Sequence, residues 1–336
     1  MARRDLVLLT DHSSTGGSRQ VLAAAARTLT GREPVQLDAR HFLTGAGGRI
    51  EADDAGGLRL EAGGRTVTAD TVIVYEVPPH RRRAFEDCQR RLRGFGARSL
   101  GTGAEAWRAA TEKDLTLARL ARDGVPQMPA IALSGPSPQA AADAFEALGG
   151  DVWARPCVGR GGDDVFHVTT RAQLDAAVRH YARAGLDWLI TRDARNLLPD
   201  GRRHRYQVVV LHGRVVRAVE HVQGVECAQR VERVRAVGHA QAIERVETAA
   251  HVRAGRGAPR HDRPGTAPTL LDYTELPDGL AETAVAAAAS LGLELAGVDL
   301  AAESGGVVLE VDVHPALGRR CLEQVALPYV AAHLGE

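Results

Sequence analysis

Apolar residues in this chain come in short blocks whose spacing switches between two periods, and the switching lays out an architecture. DLVLLT (5–10) is a solid apolar run of strand length, followed by a Ser/Gly loop and an alanine-rich helix over about 17–29. EPVQLDA (33–39) predicts a second strand, and RIEADDAGGLRLEAGGRTVTA alternates polar and apolar positions around Gly-Gly turns, as a surface hairpin does. TVIVYEVPP (71–79) is another buried-type strand, and RAFEDCQRRLRGFG a helix. Strands alternating with helices predict an N-terminal α/β lobe with a mostly parallel sheet.

The pattern changes near residue 110. Leu117, Leu120, Ala121 and Val125 lie at helical spacing in GTGAEAWRAATEKDLTLARLARDGV, read as one helix that stops at Gly124. Strand AIAL, helix PSPQAAADAFEALGG, strand DVWARP, a Gly-rich turn CVGRGGDD, strand VFHVTT, helix RAQLDAAVRHYARAG and strand WLITRDA (188–194) follow. RYQVVVLHGRVVRAVEHV reads as a hairpin turned by His212-Gly213. Antiparallel strands with interspersed helices predict an α+β lobe. Residues 223–255 hold a weak repeat, AQRVERV against AQAIERV, that fits a helix or a hairpin centred on Gly238 equally well; we treat them as an insertion able to cover a substrate site. GRGAPRHDRPGTAP is loop by its Gly and Pro content. LPDGLAETAVAAAASLGL is a helix, LAGVDLAAES and GVVLEVDVHPA are adjacent strands, and CLEQVALPYVAAHL closes the chain as a helix.

Composition narrows the function classes. A chain of 336 residues exceeds one ordinary core and predicts two or three lobes of roughly 100–150 residues. Forty-two acids balance 42 bases, which argues against a general nucleic-acid or membrane-surface binder. The local basic runs HRRR (80–83) and GRRHR (201–205) read as solvated faces. The N-terminal apolar run is too short for a secretory signal, and the most apolar stretch is interrupted by Glu294, so no span is expected. Cys88, Cys157, Cys227 and Cys321 are widely spaced without CxxC, so neither zinc nor a disulfide framework is indicated and a cytoplasmic location is expected. The loop after the first strand lacks GxGxxG spacing, so a dinucleotide fingerprint is absent.

Candidate chemistry concentrates at the end of the chain. In GVDLAAESGGVVLEVDVHPA, two apolar strands carry Asp299, then Glu310 and Asp312, the last two sharing one strand face. Burying three carboxylates among valines and leucines requires cations. Hard oxygen ligands without His or Cys suit Mg²⁺ held together with phosphates; pairing with arginines satisfies the same pattern equally well. A second oddity is that, of 42 basic residues, Lys113 in TEKDL alone is lysine. An ammonium is a compact charge on a thin stem, which a planar guanidinium fork does not reproduce.

These segments, in this order, resemble the ATP-grasp ligases, specifically the branch containing glutathione synthetase and the ribosomal-protein glutamate ligases. GVDL followed by LEVD and His-Pro is similar to the family's GVDL…EVN-x-x-P metal hairpin. TEKDLTLARLARDGVPQMPAIAL is similar to its "(T/N)DK-helix-L-x-x-x-G" entry into the central lobe. DVWARPCVGRGGDDV is similar to "VVKP-x-x-G-x-x-G-x-x-V", and YQVVVLHGRVVRAV to the hairpin "D-x-R-x-x-V-x-x-G-x-V". The four motifs cover residues 110 to 318.

The resemblance implies a mixed α/β and α+β fold of three ATP-grasp lobes. These are an N-terminal parallel α/β pre-domain (1–109), a central α+β lid lobe (110–194), and a C-terminal α+β lobe (195–336) with the metal-binding β-hairpin and the 223–255 insertion. It implies ATP-dependent joining of a carboxylate to an amine through an acylphosphate. Asp299, Glu310 and Asp312 would hold two Mg²⁺ ions, or Mn²⁺ in their place. Lys113, Arg155 and the loop glycines Gly159, Gly161 and Gly162 would hold the phosphates, and Ile190 and Asp193 would lie by the adenine hinge. Arg260 and Arg263 are the candidates to stabilise the acylphosphate. His314 either faces the substrate or satisfies a turn, and Cys157 reads as small filler. Implied partners are small-molecule or peptide carboxylates and amines, with no nucleic acid or membrane, and a homodimer is common among similar enzymes. An acceptor that is a ribosomally made precursor peptide, or a chain that binds nucleotide without turnover, are the alternatives. Four positions depart from the pattern: Arg155 replaces its second lysine, Arg205 and Gln207 replace the hairpin's Asp and Arg, and Asp312 replaces its final Asn.

Overall fold

The computed structural model describes residues 5–14, 16–53, 56–97, 103–159, 162–222, 269–271 and 275–335. The 223–255 insertion, Cys227, Gly161, Arg260 and Arg263 lie outside these residues.

The first sheet has strand order β2-β1-β5-β4-β3, built from β1 (Asp5–Thr10), β2 (Val35–Asp38), β3 (Arg49–Ala52), β4 (Leu58–Ala62) and β5 (Arg65–Tyr75). The solid apolar run of β1 is an interior strand that pairs in parallel with β2 and β5, both faces being covered. Helix α1 (Ser18–Thr30) buries Val21, Leu22, Ala25 and Ala26. The expected surface hairpin and the buried strand after it are joined: β5 runs eleven residues through both, so β3 and β4 extend the same sheet. The register shift where Asp5 and Leu6 face Ala69 and Thr71 leaves Asp70 as the extra residue, a bulge where the sequence suggests a break.

Helix α2 (Pro79–Gly94) follows. The helix predicted across 102–124 is instead two, α3 (Ala104–Thr111) and α4 (Lys113–Arg122), because Glu112 between them is extended (φ −89°, ψ 105°). The Thr116 hydroxyl donates to the Ala109 carbonyl at 2.6 Å and braces the kink. Lys113 therefore opens a helix rather than sitting inside one.

The central sheet, order β6-β9-β7-β8, is antiparallel: β6 (Ala130–Leu133), β7 (Val152–Pro156), β8 (Phe166–Val168) and β9 (Trp188–Arg192). Helices α5 (Pro138–Ala147) and α6 (Arg171–Ala184) cover one face; α6 starts at a capping box formed by Thr170 and Gln173. Phe145, Leu174, Tyr181, Trp188 and Ile190 form that core.

The third sheet has order β12-β11-β10-β13-β14, from β10 (His204–Leu211), β11 (Arg214–Val222), β12 (Thr269–Leu271), β13 (Leu295–Ala301) and β14 (Val307–Asp312). Alanines 284, 287 and 288 let helix α7 (Leu280–Ser290) pack closely beneath it. Helix α8 (Leu327–Leu334) packs on α1 through the core that also holds Tyr75 and Tyr329. First and third sheets thus share continuous cores, whereas the central sheet packs largely within itself. No helix among the described residues is long and apolar enough to cross a membrane.

The β10–β11 turn is His212-Gly213, with φ of 50° and 71°. Both residues are left-handed, as a two-residue type I′ turn requires. Nothing lies within 4 Å of a Cβ built on Gly213. Gly213→Ala is therefore expected to lose about 1 kcal/mol of stability from backbone strain alone, read as a lower denaturant midpoint with an unchanged slope.

Candidate active site

Four elements, β13, β14, β7 and α4, bring the candidate residues together. Adjacent β13 and β14 pair Asp299 directly with Glu310, and Asp312 follows on the same face. Strand β14 is tied to the chain entering the central lobe, where Val308 donates to the Pro126 carbonyl at 2.9 Å. Strand β7 contributes Arg155, whose Nη1 donates to the Leu309 carbonyl at 3.0 Å and Nη2 to the Thr191 hydroxyl at 3.3 Å. The backbone N–H of Lys113 donates to the Cys157 carbonyl at 2.9 Å, which docks the start of α4 on the glycine loop. Its Nζ then donates to the Gly159 carbonyl at 3.2 Å and lies 3.5 Å from Glu310 Oε1. The cleft so formed is open to solvent and is lined by Arg82, Lys113, Arg155, Gly159, Glu310 and Asp312 among others.

Charge in the cleft is balanced by position. Burial would raise the Glu310 carboxyl, but Lys113, Arg155 and Arg205 outweigh it and hold it below its ordinary value. Asp299 is shifted upward by burial and by Glu310, with Arg205 and Gln207 opposing. Arg205 Nε is 2.9 Å from Asp299 Oδ2, a close ion pair not aligned as a hydrogen bond. Gln207 Nε2 donates to Asp299 Oδ1 at 3.2 Å. Asp312 is open to the cleft, yet the protein around it and the charges of Glu310 and Asp299 push its carboxyl up to about 7. Arg155 is enclosed, its Nε has no hydrogen-bond partner, and burial lowers its pKa against the pull of Glu310. One group is thus held ionised and another is close to taking a proton, in a site that already has three cations facing three acids.

No protein-family model matches the chain, and no curated protein sequence matches it. Solved structures do. D-cycloserine synthetase DcsG superposes with a TM-score of 0.66 at 20% identity, covering 98% of each chain. The ATP-grasp ligase PsnB, complexed with a phosphomimetic variant of its minimal precursor, Mg and ADP, gives 0.62 at 15% identity over 100% of this chain and 99% of its own. D-alanine–D-alanine ligase from Bacillus anthracis gives 0.59 at 14% identity, covering 98% and 92%. The chain has the ATP-grasp fold. Its three sheets follow in the order anticipated for that fold, and the cleft is lined by β14 on one side and by α3, α4 and Arg155 of the central sheet around it.

Within the ATP-grasp frame the sequence-derived residues divide. Lys113, Arg155, Gly159, Asp299, Glu310 and Asp312 converge on or beside the cleft. Gly162 lies in the same loop at φ 80°. Ile190 is apart: its side chain is fully buried in the helix-covered core of the central sheet, opposite the face that carries Arg155. Asp193 is buried and already engaged, accepting from both Nη groups of Arg203 at 2.8 Å and from Trp153 Nε1 at 3.0 Å. His314 is wedged between Tyr75 (ring centroids 4.3 Å) and Trp107 (5.0 Å), with neither ring nitrogen hydrogen-bonded. Cys157 is a buried free thiol pushed up to about 12 by burial, so it fills space rather than attacks.

Arg82 is the residue that sequence reading missed. Taken as part of a solvated basic run, it is 7% exposed, donates to the Val77 carbonyl and to the Thr111 hydroxyl, and lies over the Trp107 ring. The signal was present: Arg82, Phe85, Glu86, Gln89 and Leu92 recur at helical spacing on the buried face of α2.

Proposed function

We propose that the protein is an ATP-dependent ligase that joins a carboxylate to an amine through an acylphosphate. The observation that carries the reading is the convergence of Lys113 on both the glycine loop (3.2 Å to the Gly159 carbonyl) and Glu310 (3.5 Å). A lone ammonium held between a phosphate-covering loop and a pair of carboxylates is suited to nucleotide phosphates arriving with a divalent cation.

In this reading Lys113 and Arg155 hold phosphate oxygens, Arg155 through the second N–H of each Nη, the first being engaged with Leu309 and Thr191. The backbone N–H groups of Gly159 and Gly162 are free of side-chain bulk and suit close approach by the terminal phosphate. The donor set of Glu310 and Asp312, hard oxygens crowded until one is near protonation, fits Mg²⁺. When bound, Mg²⁺ neutralises charge on the transferring phosphoryl group. The substrate carboxylate takes the γ-phosphoryl group, ADP leaves, and the amine displaces phosphate from the acylphosphate. The acylphosphate has to be kept from water for the amine to take it. Arg260 and Arg263 stay as proposed partners of the acylphosphate. The PsnB complexes with precursor support testing peptide carboxylates and amines beside free amino acids.

Calorimetric titration of Mg²⁺ and a non-hydrolysable ATP analogue tests this. Binding that requires Mg²⁺ and is lost in Lys113→Ala supports the reading; no binding to the wild type overturns it. Screening carboxylate–amine pairs for ADP release then separates a ligase from a protein that binds nucleotide without turnover.

The same titration is pH-dependent in a definite direction. Asp312 must lose a proton to ligate Mg²⁺, and its carboxyl is raised to about 7. Affinity should therefore rise with pH, falling roughly tenfold from pH 8 to pH 6. A flat profile over that range would assign the binding to groups other than Asp312.

A further inference from the structure

Asp299 is held differently from the other two acids. Across three neighbouring strands, Gln207 of β10 pairs with Asp299 of β13, which pairs with Glu310 of β14, so the three side chains form one row. Arg205 lies two residues before Gln207 on the same strand and reaches that row. Between them they engage both oxygens of Asp299: Arg205 Nε at 2.9 Å from Oδ2, and the Gln207 amide at 3.2 Å from Oδ1. Glu310 has Lys113 at 3.5 Å as its ion-pair partner. Among the described residues Asp312 has no ion pair, and it is open to the cleft.

A guanidinium keeps its charge at any working pH, and it cannot leave Asp299 by losing a proton. A divalent ion ligated by Asp299 would have to displace Arg205 or stand beside it. Glu310 and Asp312 present no such obstacle: Lys113 is a flexible ammonium that turns from Glu310 toward phosphate when a divalent ion takes its place.

We propose that this site takes one divalent ion with its nucleotide, on Glu310 and Asp312, and that the Arg205 guanidinium occupies the place on Asp299 where a second ion would sit. The proposal rests on the nucleotide-and-metal reading above and replaces the expectation of two ions with one ion and one fixed cation. Arg205 is thereby a positioning residue: it fixes Asp299 and sets the metal count.

Manganese measures the count without relying on turnover. The full-length protein is titrated with Mn²⁺ in the presence of AMPPNP, bound ion is counted by equilibrium dialysis, and its spectrum is recorded by electron paramagnetic resonance. The wild type should bind one Mn²⁺ per chain with the six-line spectrum of an isolated ion. Arg205→Met should bind two, with the exchange-coupled spectrum of a pair about 3.5–4 Å apart. Arg205→Lys, which keeps a cation at Asp299, should remain at one. Two ions in the wild type overturn the proposal while leaving the ligase reading intact, and so does a count of one in folded Arg205→Met. If Arg205→Met fails to fold, Arg205→Gln, which keeps polar contact with Asp299, takes its place with the same expected count of two. No AMPPNP-dependent Mn²⁺ binding by the wild type overturns both.

Discussion

Glu310→Gln is expected to reduce ADP release on the order of 10³-fold and to abolish Mg²⁺-dependent nucleotide binding. The substitution keeps the shape of the side chain and removes one charge, so the loss is electrostatic. Glu310 is the acid on which Lys113, Arg155 and Arg205 all act, and it pairs across the hairpin with Asp299. Without it the cleft loses one of its three carboxylates while keeping its cations, so a divalent ion loses a ligand and meets more repulsion than in the wild type. The variant also makes a second, opposite prediction. Glu310 is a major cause, after burial, of the raised Asp312 carboxyl. Whatever metal binding survives in Glu310→Gln should therefore depend on pH over a lower range than in the wild type. Isothermal titration between pH 5.5 and 8 reads both effects. Activity within threefold of the wild type would remove Glu310 from the site.

The sequence made the buried strands legible because burial left their apolar runs nearly continuous: DLVLLT and VVLEV lie where expected. It did not show that Glu112 breaks a helix. No Gly or Pro marks the kink, which is held instead by tertiary contacts, the Thr116–Ala109 hydrogen bond and the docking of Lys113 on Cys157. Local propensity carries no record of either. In the site, Lys113 stood out through being the single lysine, and the three acids through being charges among valines. Arg82 was hidden by its neighbours: in a run of four basic residues, one turned inward looks like the others until the helical phase is set by Phe85 and Leu92. The hinge was harder still. Alternation along β9 puts Ile190 and Thr191 on opposite faces, and a motif that names a segment does not say which of the two faces the cleft.

Asp193→Ala, the second large effect, is expected to act on stability rather than on the nucleotide. Its carboxylate is 4% exposed and bound by both Nη groups of Arg203, while the Trp153 N–H donates to it. The Trp153 ring lies between the Arg203 guanidinium, 5.0 Å from its centroid, and a stacked His167 at 4.6 Å. Removing one partner of such a pair leaves the partly buried Arg203 guanidinium with only Asn196 to accept from it, and costs about 3 kcal/mol, the lower end for a buried pair. Burial alone would raise the Asp193 carboxyl, but the hydrogen bonds from Arg203 and Trp153 outweigh it and hold it below the ordinary 3.8. A carboxyl depressed in the folded state contributes stability that is full above its unfolded value and is lost as pH falls through the folded one. The gap between wild type and Asp193→Ala should accordingly be complete at pH 7 and begin to close below about pH 4. Adding Arg203→Met to Asp193→Ala should recover part of the loss, since the stranded charge goes with it. Thermal melts at both pH values and for both variants check this. A tenfold weaker ATP affinity with an unchanged melting temperature would instead return Asp193 to the nucleotide hinge, with Arg203 as its support.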